Sequence, residues 1–261
     1  MNDYLIRERQ DIILGRLKAS GRVLAADLAA EFKVSEDTIR RDLRDLAARG
    51  LCERVYGGAL PVAPARGTLG HRKGRDAGEK EMLGRMLAAQ IDDGMTVFFD
   101  ASSTNIAAAR ALPEDRVVTV VTNAPAIATV FDGRESQTVI MIGGMIHPEV
   151  GGAIGAKAIA ELERFHFDLC LIGACGLDIE AGLTCFHYDD ALFKREIALH
   201  ARRVITAVTA DKLETRAPCS VISLEALDGL VTSPGLKPES RAALLQAGVN
   251  LIETTDGIAA R

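Results

Sequence analysis

The sequence predicts an α/β protein of two unequal parts, a small helical domain closed by a β-hairpin and a larger domain built on a mostly parallel sheet. Three observations predict it. The first sixty residues hold three helical patterns, then a strand, a glycine turn and a second strand. From residue 95 onward short apolar runs alternate with helical segments, as in an α/β domain whose strands are joined by helical crossovers. The charge also divides: residues 1–80 carry 16 Lys and Arg against 12 Asp and Glu, or +4, and residues 81–261 carry 15 against 24, or −9, within a total of −5.

The first helix is expected over Ile6 to Ala19, with apolar residues at Ile6, Ile12, Ile13 and Leu17. Gly21-Arg22-Val23 then turns the chain into a second short helix, Leu24 to Phe32, and a tight turn at Lys33-Val34 leads to a third. Ser35 suits the N-cap of that third helix, and Glu36 and Asp37 suit the positive end of its dipole. At 3.6 residues per turn Ile39, Leu43 and Leu46 share a buried face, which leaves Asp37, Arg41 and Arg44 on the opposite side; Gly50 closes the run. Alone, such a helix is equally an amphipathic helix with a solvated charged face. Behind a short helix and a tight turn it has helix-turn-helix geometry, which would present arginines to DNA. Leu51 to Ala59 reads as strand, glycine turn and strand, a wing to lie against the minor groove or the phosphate backbone. The basic N-terminal part supplies the local positive face that nucleic acid requires, while the acidic remainder would be repelled by it.

The run Val34-Ser35-Glu36-Asp37-Thr38-Ile39-Arg40-Arg41-Asp42-Leu43, the break at Gly50, Arg54 and Gly57-Gly58-Ala59 resemble the N-terminal winged helix-turn-helix of the DeoR family of transcriptional regulators. The resemblance implies that Ser35, Thr38, Arg40, Arg41, Arg44 and Arg54 contact double-stranded operator DNA, the arginine forks suiting guanine edges or phosphates.

A chain of 261 residues with 48% hydrophobic content exceeds one compact domain and is sufficient for a full core. No apolar run approaches the ~20 residues of a membrane span, and Met1-Asn2-Asp3 is no signal peptide, so a cytoplasmic protein without a membrane partner is expected. Five scattered cysteines without a Cys-x-x-Cys pair argue against a disulfide framework. The proline, glycine and basic residues from Pro61 to Gly74 read as a linker. The expected boundaries are therefore 1–60 for the winged helix-turn-helix, 61–78 for the linker and 79–261 for an effector-sensing and oligomerisation domain.

In the larger part a helix is expected from Glu79 to Ile91, burying Met82, Leu83, Met86 and Leu87. Strands are expected at Met95 to Phe99, Val117 to Val121, Thr138 to Ile142, Phe167 to Ile172, Arg203 to Ala207 and Ser220 to Leu224. Helices fall between them, for example Thr104 to Leu112 and Ala156 to Phe165. In such sheets ligands collect at the carboxyl ends of the strands, so the loops there carry the candidate residues.

The first of these loops, Asp100-Ala101-Ser102-Ser103-Thr104, follows a strand and opens a helix, a position suited to a phosphate or to an ordinary capped turn. Thr122-Asn123 and Gly143-Gly144 follow the next strands, and Gly151-Gly152-Ala153-Ile154-Gly155 precedes another helix. No Gly-x-Gly-x-x-Gly sits between a strand and a helix, so no cofactor is expected. Gly173-Ala174-Cys175-Gly176-Leu177-Asp178 ends the fourth strand, and the helix after it carries Asp189, Asp190, Lys194 and Arg195. Carboxylates and a lysine beside a phosphate loop suit either enolisation or the holding of a sugar hydroxyl and a phosphate without reaction.

These pieces, in this order, resemble the DeoR C-terminal domain, which is related in fold to ribose-5-phosphate isomerase and senses phosphorylated sugars. The resemblance implies a ligand site at Asp100, Ser102, Ser103, Thr104, Thr122, Asn123, Gly143, Gly144, Gly173, Gly176, Asp178, Lys194 and Lys212, and matches Arg72 and Lys80 to an arginine and a lysine at the domain's start. The chain departs from the family in having Ser102-Ser103 for Gly-Thr, Asp190 for a commoner glutamate, and Thr209 for an aspartate. A metal site from His166, Cys170, Cys175, Cys185 and His187 lacks structural-zinc spacing, and no metal is expected. An active sugar-phosphate isomerase is the rival function, but its Asp-rich loop is represented only by Asp178. The expected function is a non-enzymatic repressor of a carbohydrate-catabolic operon, released from its operator by a phosphorylated sugar and acting as a homo-oligomer, dimer or tetramer.

Overall fold

The computed structural model describes residues 5–20, 22–49, 51–60 and 67–253. The chain forms two compact units, 1–64 and 65–261.

The first unit runs α1 (Ile6–Ser20), β1 (Val23–Leu24), α2 (Ala25–Phe32), α3 (Glu36–Ala48), β2 (Glu53–Val55) and β3 (Gly58–Leu60). Ile13, Leu17, Leu28, Phe32, Ile39, Leu43 and Leu46 form one buried cluster, so the apolar stripe of α3 faces inward as its spacing requires. Ile6, in the first turn of α1, is instead exposed. Lys33 ends α2 in the left-handed region and its N–H reaches back to the Ala29 and Ala30 carbonyls, which makes the tight turn into α3. Leu24, expected to open the second helix, lies in β1 and pairs with Gly58, giving an antiparallel sheet of order β1-β3-β2. Gly58 permits that approach, since a Cβ there would stand 2.0 Å from the Val23 carbonyl oxygen.

The second unit runs α4 (Leu69–Gly74), α5 (Ala77–Ala88), β4 (Thr96–Phe99), α6 (Ser103–Ala111), β5 (Val118–Thr122), α7 (Pro125–Ala128), β6 (Gln137–Met141), β7 (Met145–Ile146), β8 (Ala153–Ile154), α8 (Ala156–Leu162), β9 (Leu169–Ile172), β10 (Gly176–Asp178), β11 (Gly182–Cys185), α9 (Tyr188–Leu199), β12 (Val204–Val208), β13 (Cys219–Ser220), β14 (Gly229–Thr232), α10 (Pro238–Gln246) and β15 (Leu251–Ile252). Its main sheet has the order β15-β14-β12-β9-β4-β5-β6 and every pairing is parallel. Successive residues of β4 face opposite cores. Phe98 packs against Phe167 and Phe193, whereas Phe99 packs against Phe131.

Two expectations are corrected. Ser220–Leu224 is not a strand of this sheet: Cys219–Ser220 pairs with β11 in a small antiparallel sheet, and β14 and β15 take the places beyond β12. The apolar residues Val221 and Leu224 are buried beside that small sheet, so their hydrophobicity reports packing and not parallel pairing. The expected linker also overreaches. Residues 67–78 are built into the second unit as α4 and the start of α5, with Leu69 buried, while 61–66 lie outside the described residues.

From β4 the chain moves one way to β5 and β6, and from β9 the other way to β12, β14 and β15. The carboxyl ends of β4 and β9 therefore form a topological switch point, where a crevice opens in parallel sheets.

Candidate functional site

In the first unit the candidate surface is α3 and the hairpin. The Ser35 hydroxyl accepts from the Thr38 N–H at 3.2 Å and lies 2.9 Å from the Thr38 hydroxyl, so both residues build the helix start. Arg40 is tied along its own helix, 2.7 Å from Glu36. Arg41 and Arg44 are exposed on the same helix and Arg54 is exposed on β2. Tyr56, which the sequence did not single out, projects fully into solvent at the hairpin turn. Beneath this surface Arg9 of α1 and Asp42 of α3 form a buried ion pair at 2.5 Å, which fixes α3 against the body of the unit.

In the second unit the switch point holds a cleft walled by residues from six chain segments. Asp100, at the end of β4, is withdrawn from solvent; its Oδ2 accepts from the Gly173 N–H at 2.8 Å and from the Lys194 ammonium. Lys194 also lies 3.2 Å from Asp190 Oδ1, one turn before it on α9. Ser102 caps α6 by accepting from the Asn105 N–H at 3.0 Å, and Ser102 and Ser103 line the cleft at that helix's N-terminus. From the far side Lys212 enters, its Nζ donating to the Ala174 carbonyl at 2.9 Å.

The two lysines differ electrostatically. Burial alone would lower the Lys194 pKa, but the carboxylates of Asp100 and Asp190 outweigh it and hold the group above the ordinary lysine value. Burial dominates at Lys212 and pulls it down to about 8. Burial likewise raises the Asp190 carboxyl, partly offset by Lys194. Among the described residues Asp100 Oδ1 and Arg72 Nε are buried without a hydrogen-bond partner, and Asp190 Oδ1 has the Lys194 ammonium at 3.2 Å. The carboxylate oxygens suit hydroxyl donors and the guanidinium suits an anion.

Of the sequence-predicted ligand residues, the fold brings Ser102, Ser103, Gly173, Lys194 and Lys212 to the cleft wall, with Asp100 directly behind Lys194. The others do not line it. Thr104 is buried in the first turn of α6. Thr122 donates to the Phe99 carbonyl at 2.7 Å, and Asn123 spans the Ala101 N–H and the Ala153 carbonyl at 3.1 and 3.0 Å, so both brace the loop from behind. Gly143 donates to Glu161 at 3.0 Å, and Gly144 precedes β7 with a left-handed φ of 142°. Gly176 is paired in β10, and Asp178 accepts from the Glu180 and Ala181 N–H groups and from Arg216, a turn at the end of that strand. The sequence reading missed Arg72, Glu149, Cys175, Phe186, His187 and Asp190 as cleft-lining residues. Nothing in the local pattern of Arg72 or Asp190 distinguishes a cleft wall from a charged helix face. Near the mouth the His187 ring lies 3.0 Å from Glu149 and 4.3 Å, centre to centre, from His147. Among the described residues no cluster of His, Cys, Asp or Glu is arranged to hold a metal ion.

Among solved structures, 51% of the chain overlaps ribose 5-phosphate isomerase A of Methanocaldococcus jannaschii, 53% of that chain, at 14% identity and a TM-score of 0.38, which is too slight to bear on activity. Sequence relatives extend much further. The chain is 33% identical over 254 residues to the HTH-type transcriptional regulator GlpR of Haloferax volcanii, covering 97% of this chain and 98% of that one. It is 32% identical to the glycerol-3-phosphate regulon repressor of Escherichia coli, over 86% and 90% of the two chains. It is 33% identical to the HTH-type transcriptional repressor GlcR of Bacillus subtilis, over 86% and 87%. The family model of the DeoR-like helix-turn-helix domain matches residues 9–64, and that of the DeoR C terminal sensor domain matches residues 75–234. With both models matched in order across the two units, the chain belongs to the DeoR family of DNA-binding transcriptional regulators.

Proposed function

We propose that this regulator represses a carbohydrate-catabolic operon and leaves its operator when a phosphorylated sugar or polyol occupies the cleft between the ends of β4 and β9. The observation that carries this reading is the placement of Lys212, a buried ammonium whose hydrogen-bond partner among the described residues is the Ala174 carbonyl, in one cleft with the N-terminus of α6. A cation and a set of helix N–H groups favour an anion, and the Asp190 carboxyl on the cleft wall favours a neighbouring hydroxyl. A phosphate on a polyhydroxyl body satisfies both. The names of the relatives support it, since one is the repressor of a glycerol-3-phosphate regulon.

On the DNA side Arg41, Arg44 and Arg54 reach the operator while Ser35 and Thr38 set the start of the reading helix. The protein acts in the cytoplasm as a homo-oligomer, because one short helix reads too few base pairs and paired half-sites need paired helices. Release requires only that the ligand favour one arrangement of the subunits; a tenfold change in operator affinity corresponds to ~1.4 kcal/mol of coupling.

The test is fluorescence anisotropy against DNA from upstream of the protein's own gene and a scrambled duplex, repeated with glycerol 3-phosphate and a panel of sugar phosphates. Specific binding relieved by one compound is expected. Equal binding to both duplexes, or isomer turnover of a panel compound, would overturn the reading.

A further inference from the structure

Two cleft residues, Gly67 and Arg72, stand apart from the rest because they precede the sheet and belong to the segment that leads out of the first unit. Along the chain only residues 61–66 separate β3 from Gly67. The segment continues as α4, a six-residue helix too short to persist without tertiary contacts.

Several specific contacts dock it. Thr68 caps α4 by accepting from the His71 N–H at 3.4 Å. Leu69 is buried against Gly151, where even a Cβ would stand 2.5 Å from the leucine side chain. The Arg72 guanidinium donates to the Glu149 carbonyl at 2.9 Å and the Val150 carbonyl at 3.1 Å, so both α4 attachments meet the turn 147–151 at the cleft wall. Lys80 donates to the Arg72 carbonyl at 2.6 Å and to the Arg75 carbonyl, and so holds the helix's C-terminal end. Arg72, a residue of the cleft wall, therefore has its NH2 committed to the turn 147–151, and among the described residues its buried Nε has no hydrogen-bond partner. Its positive charge also acts on Lys212 and Asp190, which line the same cleft.

We propose that Arg72 is the positioning residue through which cleft occupancy reaches the DNA-binding unit: the anionic group of a bound ligand draws the guanidinium from the Glu149 and Val150 carbonyls, and α4 shifts against the turn that docks it. The inference rests on the effector reading above and adds the route. In sequence α4 is the first element of the second unit, separated from β3 by residues 61–68 alone, so it is the cleft-wall element next along the chain to the DNA-binding unit. Other cleft residues arise from elements within the sheet domain and lack that connection.

The experiment compares full-length wild type with Arg72→Gln. Operator affinity is measured by anisotropy without and with saturating glycerol 3-phosphate, ribose 5-phosphate, fructose 1-phosphate or glucose 6-phosphate, and binding of each compound is measured separately by calorimetry. In wild type one compound is expected to weaken operator binding by about tenfold or more. In Arg72→Gln the same compound, at saturation shown by calorimetry, is expected to change operator affinity less than about twofold. A variant that needs more compound yet still releases DNA by the wild-type factor would overturn the proposal, since Arg72 would then only hold the ligand. Should the variant fail to fold or to bind the compound, hydrogen exchange on wild type decides: altered protection across 69–74 supports the route, and unaltered protection overturns it. If no compound affects wild-type binding, the effector reading fails, and this proposal with it.

Discussion

The Lys194 ammonium is held between two buried carboxylates, and its hydrogen bond to Asp100 joins α9 to the end of β4 across 94 positions of sequence. Asp100 in turn accepts from the Gly173 N–H at the end of β9. The three groups lock the floor of the cleft, and Gly173 is required there because a Cβ would stand 2.6 Å from the Ser102 side chain.

Lys194→Met removes the ammonium held between these carboxylates and leaves Asp100 and Asp190 buried together. A loss of about 3–5 kcal/mol is expected in urea unfolding at pH 7. The Asp190 carboxyl is already raised by burial, so its protonated form is favoured in the fold, and a group raised in this way loses its stabilising contribution as pH rises. The deficit should therefore be smaller at pH 5 than at pH 8; an equal deficit at both would exclude ionisation as its cause.

Lys212 makes the opposite prediction. With a folded pKa of about 8 against an ordinary value of 10.5, its ammonium is disfavoured in the fold and costs about 3 kcal/mol at pH 7. The group's contribution is fully favourable only above the unfolded pKa and is lost as pH falls through about 8. Lys212→Met should thus melt higher than wild type at pH 7, with the advantage shrinking as pH rises from 8 to 10, while its affinity for a sugar phosphate falls. A variant that melts lower at pH 7 would show the ammonium to be stabilising.

For wild type the proposed anion site at Lys212 predicts a pH dependence of effector binding. A phosphate monoester is a dianion above about pH 6, and the Lys212 ammonium is lost above about 8. Calorimetric affinity should be greatest between those values and decline on either side. Affinity that stays flat to pH 9.5 would remove Lys212 from anion recognition.

Arg41 and Arg44 are exposed on α3, so their removal should weaken operator binding with little change in melting temperature. An arginine on a base edge is worth about 1–3 kcal/mol and relaxes specificity at its position, whereas one on phosphate lowers the salt slope by about one. Anisotropy at several salt concentrations separates the two. Unchanged affinity for Arg41→Ala would place that side chain outside the interface.

Asp42 looks similar in sequence, one position further on, but its effect should be wholly different. Asp42→Ala leaves Arg9 buried and unpaired, and a loss of about 3–5 kcal/mol in stability is expected. DNA binding would disappear with the fold of the unit; a stable variant with normal affinity would show the pair to be dispensable.

Local pattern carried the reading of the first unit a long way. Ser35 caps α3, Ile39, Leu43 and Leu46 face the core, and Lys33 makes the turn, because each depends on residues within a few positions. The same holds for β4 and the capped entry to α6, where strand, Asp100, Ser102 and helix follow one another directly. The family was legible for the same reason, since its motifs are runs of adjacent residues.

What the sequence by itself determined, then, is the three helices and hairpin of the first unit, the strands β4, β5, β6, β9 and β12 of the main sheet, and that a winged helix-turn-helix precedes a parallel-sheet domain. Tertiary structure alone decided the rest. Thr122 and Asn123 have the composition of a ligand loop, yet strands and loops distant along the chain supply the Phe99 and Ala153 carbonyls and the Ala101 N–H that occupy them. Arg72 lies in a stretch whose glycines and basic residues read as linker, yet the turn 147–151 folds back to give its guanidinium two carbonyls and a place in the cleft wall. Periodicity reports what a residue's own element presents to water or to the core. Which partner satisfies a polar side chain is set by the crossovers that bring separate elements together, and no local pattern encodes that distance.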